Sequence, residues 1–245
     1  MKNATAYAKK LSTLLRKIKP KLPVELPAAV DPITRLVLGF LQWNAAARSA
    51  AIAHGKLMAE LVDNNDLRVS YVDEVVALIG PRYPQALERA ARMRDAMNAI
   101  YDREHATSLD ALCDRAKKDI RTYLDTLPGI TPYVVAHVLL LAFGGHAIPV
   151  DEKLALCLKA QQVVDPSATV EQITAFLERH VKAEDALPTH LALQAWADKS
   201  RISVEKAVDE PAPTTTAKTV KTAAQKTTKT RARTAKKTTK RTTKE

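Results

Sequence analysis

The sequence predicts an all-α protein that carries a basic C-terminal tail. Only 6 of the 245 residues are glycine, and no segment has the alternating apolar and polar pattern of a half-buried strand. Apolar residues instead recur at intervals of three and four, which places them on one face of an α-helix. A chain of 245 residues can bury a sizeable core in one or two lobes.

The first half of the chain contains predicted helices separated by turn signals. Asp31 is expected to cap the second helix, since an Asp side chain accepts the free N–H groups of a first turn. Pro20, Pro23 and Pro27 predict a linker before it, and Gly80-Pro81 ends a later helix. The predicted helices are 5–18, 31–43, 46–62, 71–79 and 85–102, and a turn is expected at 64–66.

In the second half, Ser108 is expected to cap a helix. One apolar stripe is formed by Leu109, Leu112, Ala116, Ile120 and Leu124. A tight turn at 127–129 then opens the helix 133–143, which the pair Gly144-Gly145 ends. Pro149 keeps the following residues extended. The remaining predicted helices are 151–160, 169–181 and 189–199.

The positive charge of the chain is concentrated in its tail. Residues 211–245 hold eleven Lys or Arg and one acid, so they carry +10 of the net charge of +11. Their only large apolar residue is Val220, and such a segment cannot bury enough surface to order itself. We therefore predict a disordered tail over 201–245. A cationic arm of this kind attracts nucleic acid by releasing counterions; the alternative is a tail that only improves solubility.

The two cysteines and the N-terminus bear on cofactors and location. Cys113 and Cys157 lie far apart on predicted helices, and without a Cys-x-x-Cys pair they predict no metal site. Buried thiols are compatible with a reducing cytosol. Charged residues interrupt the first eighteen positions, which argues against a signal peptide, and no run is long enough to cross a membrane. We expect a cytoplasmic, nucleoid-associated monomer without a cofactor.

One motif is more specific than these patterns. The segment Leu127-Pro128-Gly129-Ile130-Thr131-Pro132 is followed by an apolar helix and then by Ile148-Pro149-Val150-Asp151. The order and spacing resemble the helix-hairpin-helix and trailing Asp of the HhH-GPD DNA glycosylases, the superfamily of endonuclease III. The usual family text is close to LPGVGRKTA and later VDTHV, where this chain has LPGITPYVV and VDEKL. The resemblance covers about residues 5–200 and is best over 107–160.

The resemblance implies a two-lobed helical glycosylase fold. It divides the chain into an N-terminal helix and linker (1–30), an HhH-GPD-like region (31–200) and the tail (201–245). Within the middle region, the hairpin spans 108–143 and the Asp loop spans 144–152. The four-Cys iron–sulfur loop of many endonuclease III relatives is missing from this sequence.

The resemblance also assigns candidate DNA contacts. In this motif the backbone N–H groups of the turn and of the following helix hold a DNA phosphate, which implicates Leu127, Gly129, Ile130 and Thr131. The alternative is an ordinary corner between two helices. Asn44 falls where the family has a Gln that enters the DNA stack, and it is one methylene shorter; its alternative is a turn residue at a helix end.

Two residues are candidates for the chemistry. Tyr133 occupies the position of the family's catalytic Lys, and a phenol cannot form the Schiff base that strand cleavage requires. Asp151 matches the family's catalytic Asp, whose carboxylate stabilises the cationic sugar and can activate water. The alternatives are a packed Tyr and a simple helix cap. His137 and His146 have no partner at metal-ligand spacing, so both are predicted to be structural.

The sequence therefore predicts a DNA repair glycosylase that binds double-stranded DNA and removes a damaged or mismatched base without Lys-dependent lyase activity. The alternative is a catalytically inactive helix-hairpin-helix DNA-binding protein. Thr131, Pro132 and Tyr133 favour the alternative, since each departs from the family pattern. The pair Glu152-Lys153, which replaces the family's Thr-His, favours it too, whereas Asp151 favours the enzyme.

Overall fold

The computed structural model describes residues 4–18, 30–200 and 202. All regular secondary structure in these residues is helical, which confirms the predicted fold class. A 3-10 turn at Asp110–Leu112 precedes α7. The helices in chain order are α1 (Ala4–Ile18), α2 (Pro32–Gln42), α3 (Ala47–Glu60), α4 (Asn64–Val69), α5 (Val72–Ile79), α6 (Ala86–Glu104), α7 (Lys117–Asp125), α8 (Pro132–Leu141), α9 (Glu152–Ala160), α10 (Val170–His180) and α11 (Ala183–Asp198).

Two central helices, α2 and α8, pack against each other. The predicted cap of α2 is confirmed, since Asp31 Oδ1 accepts the N–H of Thr34 at 2.9 Å. The two helices approach closely at Gly39, where an added Cβ would lie 3.0 Å from Nδ1 of His137 and would push that side chain aside. Residues 133–140 of α8 are all buried, as expected for a helix that is apolar on every side.

The other helices surround this pair in two groups. In the first group, α3, α5 and α6 pack in sequence beside α2, while α7 packs on α8. In the second group, α11 contacts α1, α9, α3 and α8, and α10 packs on α9. The residues before α9 therefore enter the region where the two groups meet, and this is where the Asp151 loop lies.

Three local predictions were wrong. Residues 64–66 begin α4 instead of a turn, because Asp63 Oδ1 accepts the N–H groups of Asn65 and Asp66. Ser108 Oγ accepts the N–H of Asp110 in the 3-10 turn, so it does not cap a continuous helix, and α7 begins only at Lys117. Helix α11 begins at Ala183 and contains Pro188, because the completely buried Ala186 anchors the earlier turns in the core.

Several predictions fall outside the described residues. The Pro-rich linker at 19–29 and nearly all of the tail at 201–245 belong to this part of the chain, so the tail and the proposed domain boundaries stay predictions. Within the described residues, no helix combines the length and the apolar character that crossing a lipid bilayer requires.

Candidate functional site

The hairpin joins α7 to α8 through residues 126–131. Gly129 has φ +73°, and a Cβ at this position would lie 2.7 Å from the backbone oxygen of Arg92 on α6. Glycine is therefore required here both by the backbone conformation and by the close approach of α6. The Arg92 side chain also donates to the carbonyl of Gly129 at 3.3 Å, so α6 packs against the turn and is hydrogen-bonded to it.

The turn keeps backbone donors free. Thr131 caps α8, and its Oγ1 accepts the N–H of Val134 at 3.3 Å. Pro132 has no N–H, as the sequence indicated. The N–H groups of Gly129 and Thr131 make no hydrogen bond to any residue that the structure describes. A helix N-terminus that presents unpaired amides is suited to an anion.

The two apolar residues of the turn support it from inside. The Leu127 side chain is buried, and its N–H donates to the carbonyl of Leu124 at 3.0 Å. Ile130 is half-buried and packs on the core. Their side chains hold the turn in place, so any contact of these two residues with a ligand would use the backbone.

Asp151 is the buried carboxylate that the Gly-Gly break delivers to the start of α9. Its Oδ1 accepts the N–H of Leu154 at 2.8 Å, so the N-cap role is confirmed. Its Oδ2 accepts the backbone N–H of Asn44 at 2.9 Å. Burial raises the pKa of Asp151 to about 6, although both hydrogen bonds favour the ionised form. The carboxylate is thus still largely ionised at neutral pH.

Asn44 lies directly against Asp151, although 107 residues separate the two in sequence. It follows α2 in the left-handed region, with φ +55°. Its Nδ2 approaches Oε1 of Gln85 at 3.5 Å, and its Oδ1 is buried without a partner among the described residues. Gln85 is left-handed as well, with φ +51°. The sequence placed Asn44 in the site but did not indicate that its backbone would hold the carboxylate.

Tyr133 is buried beside Asp151, with 2% of its surface exposed. Its ring stacks on His137 at a centroid distance of 5.9 Å, and its hydroxyl has no hydrogen-bond partner among the described residues. Burial and the negative charges of Asp151 and Asp198 raise its pKa well above the ordinary value of 10.0. The side chain is therefore a neutral phenol at neutral pH.

Arg89 is a site residue that the sequence reasoning missed. It is completely buried on α6 and donates to the backbone carbonyls of Phe40, Trp43 and Pro84. Burial lowers its pKa to about 10, and Tyr83, Tyr133 and Asp151 oppose that shift. A signal was present: Arg89 interrupts an apolar stripe that includes Ala86, Met93, Ala96, Met97 and Ile100.

An ion pair connects the first turn of α9 to the end of α11. Lys153 Nζ lies 3.5 Å from Oδ1 of Asp198 on α11. Asp198 also accepts the N–H of Ala47 at 2.9 Å and Nε2 of Gln194 at 3.1 Å. Lys153, which replaces the His of the family text, therefore ties α9 to α11 and to the start of α3.

The remaining candidates have structural positions. His137 on α8 is buried and faces Gly39 of α2, and His146 Nε2 lies 3.0 Å from the carbonyl of Val181. Cys157 is buried as expected, whereas Cys113 is exposed because it follows the 3-10 turn. No group of three or more His, Cys, Asp or Glu in the described part of the chain could hold a metal ion.

Comparison with known proteins identifies the fold. No protein-family model matches the sequence, and no curated protein matches it significantly. A non-covalent endonuclease III–DNA complex superposes with a TM-score of 0.60 at 16% identity, over 77% of this chain and 85% of that one. This chain has an HhH-GPD DNA glycosylase-like fold.

Two further glycosylases share this fold. A thermostable thymine-DNA glycosylase has a TM-score of 0.56 and 16% identity, over 79% of this chain and 87% of that one. The 3-methyladenine DNA glycosylase of H. pylori, bound to 1,N6-ethenoadenine, has a TM-score of 0.58 and 14% identity, over 81% and 99%. Each neighbour is matched over most of its length, so the glycosylase-like fold extends through both helix groups.

Proposed function

We propose that the protein binds double-stranded DNA and removes a damaged or mismatched base by hydrolysing the N-glycosidic bond. The observation that carries the proposal is the Asp151 carboxylate, which two backbone N–H groups hold at fixed geometry in a chain with a DNA glycosylase-like fold. A carboxylate held in this way stabilises the positive charge that develops on the deoxyribose as the base leaves.

The proposed reaction is monofunctional. Tyr133 provides a neutral phenol where a Schiff-base mechanism needs an amine, so the chain removes the base and leaves the strand intact. Tyr133 and Asn44 line the proposed base site, where each has a buried polar atom without a partner among the described residues. Such atoms gain hydrogen bonds when a polar ligand arrives.

DNA binding is proposed to use the hairpin and the tail. The unpaired amides of Gly129 and Thr131 are suited to one phosphate. The charge of +10 on residues 211–245 would add affinity that does not depend on sequence. Deleting these residues should weaken DNA binding and flatten its dependence on salt; an unchanged salt slope would exclude the tail from binding.

A second candidate function is DNA binding without catalysis. Only 3% of the Asp151 surface and 2% of the Tyr133 surface are exposed, so the chain as it stands does not present the carboxylate to a base. In this alternative, Asp151 only caps α9 and anchors Asn44, while the hairpin still binds phosphate.

A lesion panel separates the two candidates. Duplexes that contain uracil, mispaired thymine, oxidised bases or alkylated bases are incubated with the protein, and hot alkali then cleaves any abasic site. The enzyme yields product only after alkali, and Asp151→Asn lowers the rate by about 100-fold or more, whereas Asp95→Asn on the exposed face of α6 leaves it unchanged. Excision also declines as the pH falls through about 6, where Asp151 takes up a proton.

Two results would reject catalysis by this site. If the wild-type protein binds every duplex and releases no base, the second candidate is correct. If Asp151→Asn excises at the wild-type rate, Asp151 is only a helix cap. Borohydride trapping on abasic DNA tests the monofunctional step: we expect no covalent adduct at residue 133.

A further inference from the structure

Arg89 is a buried cation whose hydrogen bonds all end on backbone carbonyls. The guanidinium donates to Phe40 and Trp43 at the end of α2, the latter at 2.6 Å, and to Pro84 before α6. No carboxylate lies within ion-pair distance of it among the described residues. A buried charge without a paired carboxylate is costly, so packing alone does not account for an arginine at this position.

The carbonyl of Trp43 and the N–H of Asn44 belong to the same peptide group. That carbonyl accepts from Arg89, and the N–H on the opposite edge donates to Asp151 Oδ2 at 2.9 Å. Because a peptide group is planar and its two dipoles are rigidly coupled, fixing the carbonyl also fixes the direction of the N–H. A carbonyl bonded to a cation further polarises its own N–H and makes it a better donor.

We propose that Arg89 is a positioning residue for Asp151, because it orients the Trp43–Asn44 peptide whose N–H holds the Asp151 carboxylate. Tyr83 supports the same arrangement, since its hydroxyl donates to the carbonyl of Leu41 at 2.6 Å and its ring lies 5.1 Å from the Arg89 guanidinium. This proposal rests on the proposed function only in taking Asp151 as the working carboxylate.

Arg89 acts on Asp151 among several other charged groups. Glu152 and Lys153 on α9 influence its titration, and Asp151 in turn acts on Cys157 of the same helix. The charge of Asp151 also raises the pKa of Tyr133 on α8, and Asp198 on α11 forms an ion pair with Lys153. Arg89 differs from all of these because it acts through a hydrogen-bonded peptide in addition to its charge. The geometric part of its effect can therefore be removed while the charge is kept.

The test measures the pKa of Asp151 in the full-length protein by carboxyl carbon NMR, with the signal assigned by its loss in Asp151→Asn. Arg89→Lys keeps the charge but loses the planar fork that reaches several carbonyls. We expect the pKa of Asp151 to rise from about 6 by roughly one unit, because a hydrogen bond to the ionised form is weakened. Arg94→Lys, on the same helix, should leave it unchanged.

The pKa measurement tests the positioning role of Arg89, and the lesion panel tests the enzymatic function, so the two can fail independently. A folded Arg89→Lys protein with an unchanged Asp151 pKa overturns the proposal. If Arg89→Lys does not fold, Tyr83→Phe decides: a smaller rise of the same sign supports the positioning role, and no rise rejects it. If the pKa moves while the wild-type protein excises nothing, the positioning role stands and the enzymatic function fails. If excision is present, its acid limb should move to higher pH by the same amount in Arg89→Lys.

Discussion

The hairpin and the Asp151 centre are built in opposite ways. The hairpin is local, since residues 126–131 form it together, and it offers backbone amides at a turn with exposed prolines at 128 and 132. The Asp151 centre is assembled from distant parts of the chain, since Asn44, Arg89 and Tyr133 come from three separate regions. It is also closed, with the carboxylate 3% exposed.

This contrast shows where each site is vulnerable. The hairpin depends on backbone conformation, so changes at its glycine should matter more than changes of side-chain chemistry. The Asp151 centre depends on buried polar groups that satisfy one another, and removal of one member leaves the others without partners in a medium of low dielectric constant. Substitutions in the two regions should therefore differ in size and in their dependence on pH.

The largest effect on stability is expected from Arg89→Met, which removes the buried guanidinium from the Asp151 centre. The carbonyls of Phe40, Trp43 and Pro84 lose their donor, and each buried unsatisfied group costs about 1–3 kcal/mol. We expect the free energy of unfolding to fall by about 3–5 kcal/mol in a urea titration. Arg94→Met on the same helix should change it by less than about 0.5 kcal/mol. Equal effects of the two substitutions would refute the special role of the buried guanidinium.

The second expected effect is a pH-dependent difference between the wild-type protein and Asp151→Asn. The folded pKa of about 6 lies above the ordinary value of 3.8, so the unfolded chain gives up its proton first as the pH rises. The free energy of unfolding of the wild-type protein therefore falls as the pH rises from about 4 to about 6. Above this range the folded protein carries a buried charge at Asp151, which costs about 3 kcal/mol. The Asn variant has no such cost.

We thus expect the stability of Asp151→Asn relative to the wild type to increase by about 2 kcal/mol between pH 4 and pH 7, most of the total of about 3 kcal/mol. Urea titrations at several pH values measure this difference directly. A difference that stays constant with pH would show that Asp151 titrates normally, and the carboxylate would then have to be solvated.

Most of the fold could be predicted from the sequence because its signals are local. The apolar periodicity, the Asp31 cap and the Gly144-Gly145 break each act within a few residues, and the structure confirms all three. The errors arose where two local signals competed. Asp63 began a helix in an Asn-rich stretch that resembles a turn, and Ser108 closed a 3-10 turn instead of an α-helix.

The site could be predicted only in part for a physical reason. Asp151 was identified as a cap because the N–H it binds is three residues away. Its second partner, the backbone of Asn44, could not be read from the sequence, because every residue except proline has an N–H. Arg89 left only the indirect signal of a charge on an apolar stripe.

The smallest expected effect on stability concerns the hairpin, and it also tests DNA binding. Gly129→Ala places a Cβ 2.7 Å from the backbone oxygen of Arg92 and forces an L-residue to adopt φ +73°. We expect a loss of about 2 kcal/mol in the free energy of unfolding and weaker binding of duplex DNA. The binding should weaken because the amides of Gly129 and Thr131 shift away from a common phosphate.

Gly144→Ala is the matched control for this substitution. Gly144 also has positive φ, at +63°, but a Cβ there meets nothing within 4 Å. It should therefore cost about 1 kcal/mol from backbone strain alone and leave DNA affinity at the wild-type level when binding is measured at fixed salt. If both variants bind DNA equally well, the hairpin amides do not hold a phosphate, and the tail becomes the main DNA-binding element. If only Gly129→Ala loses affinity, the open turn binds DNA independently of the closed carboxylate centre.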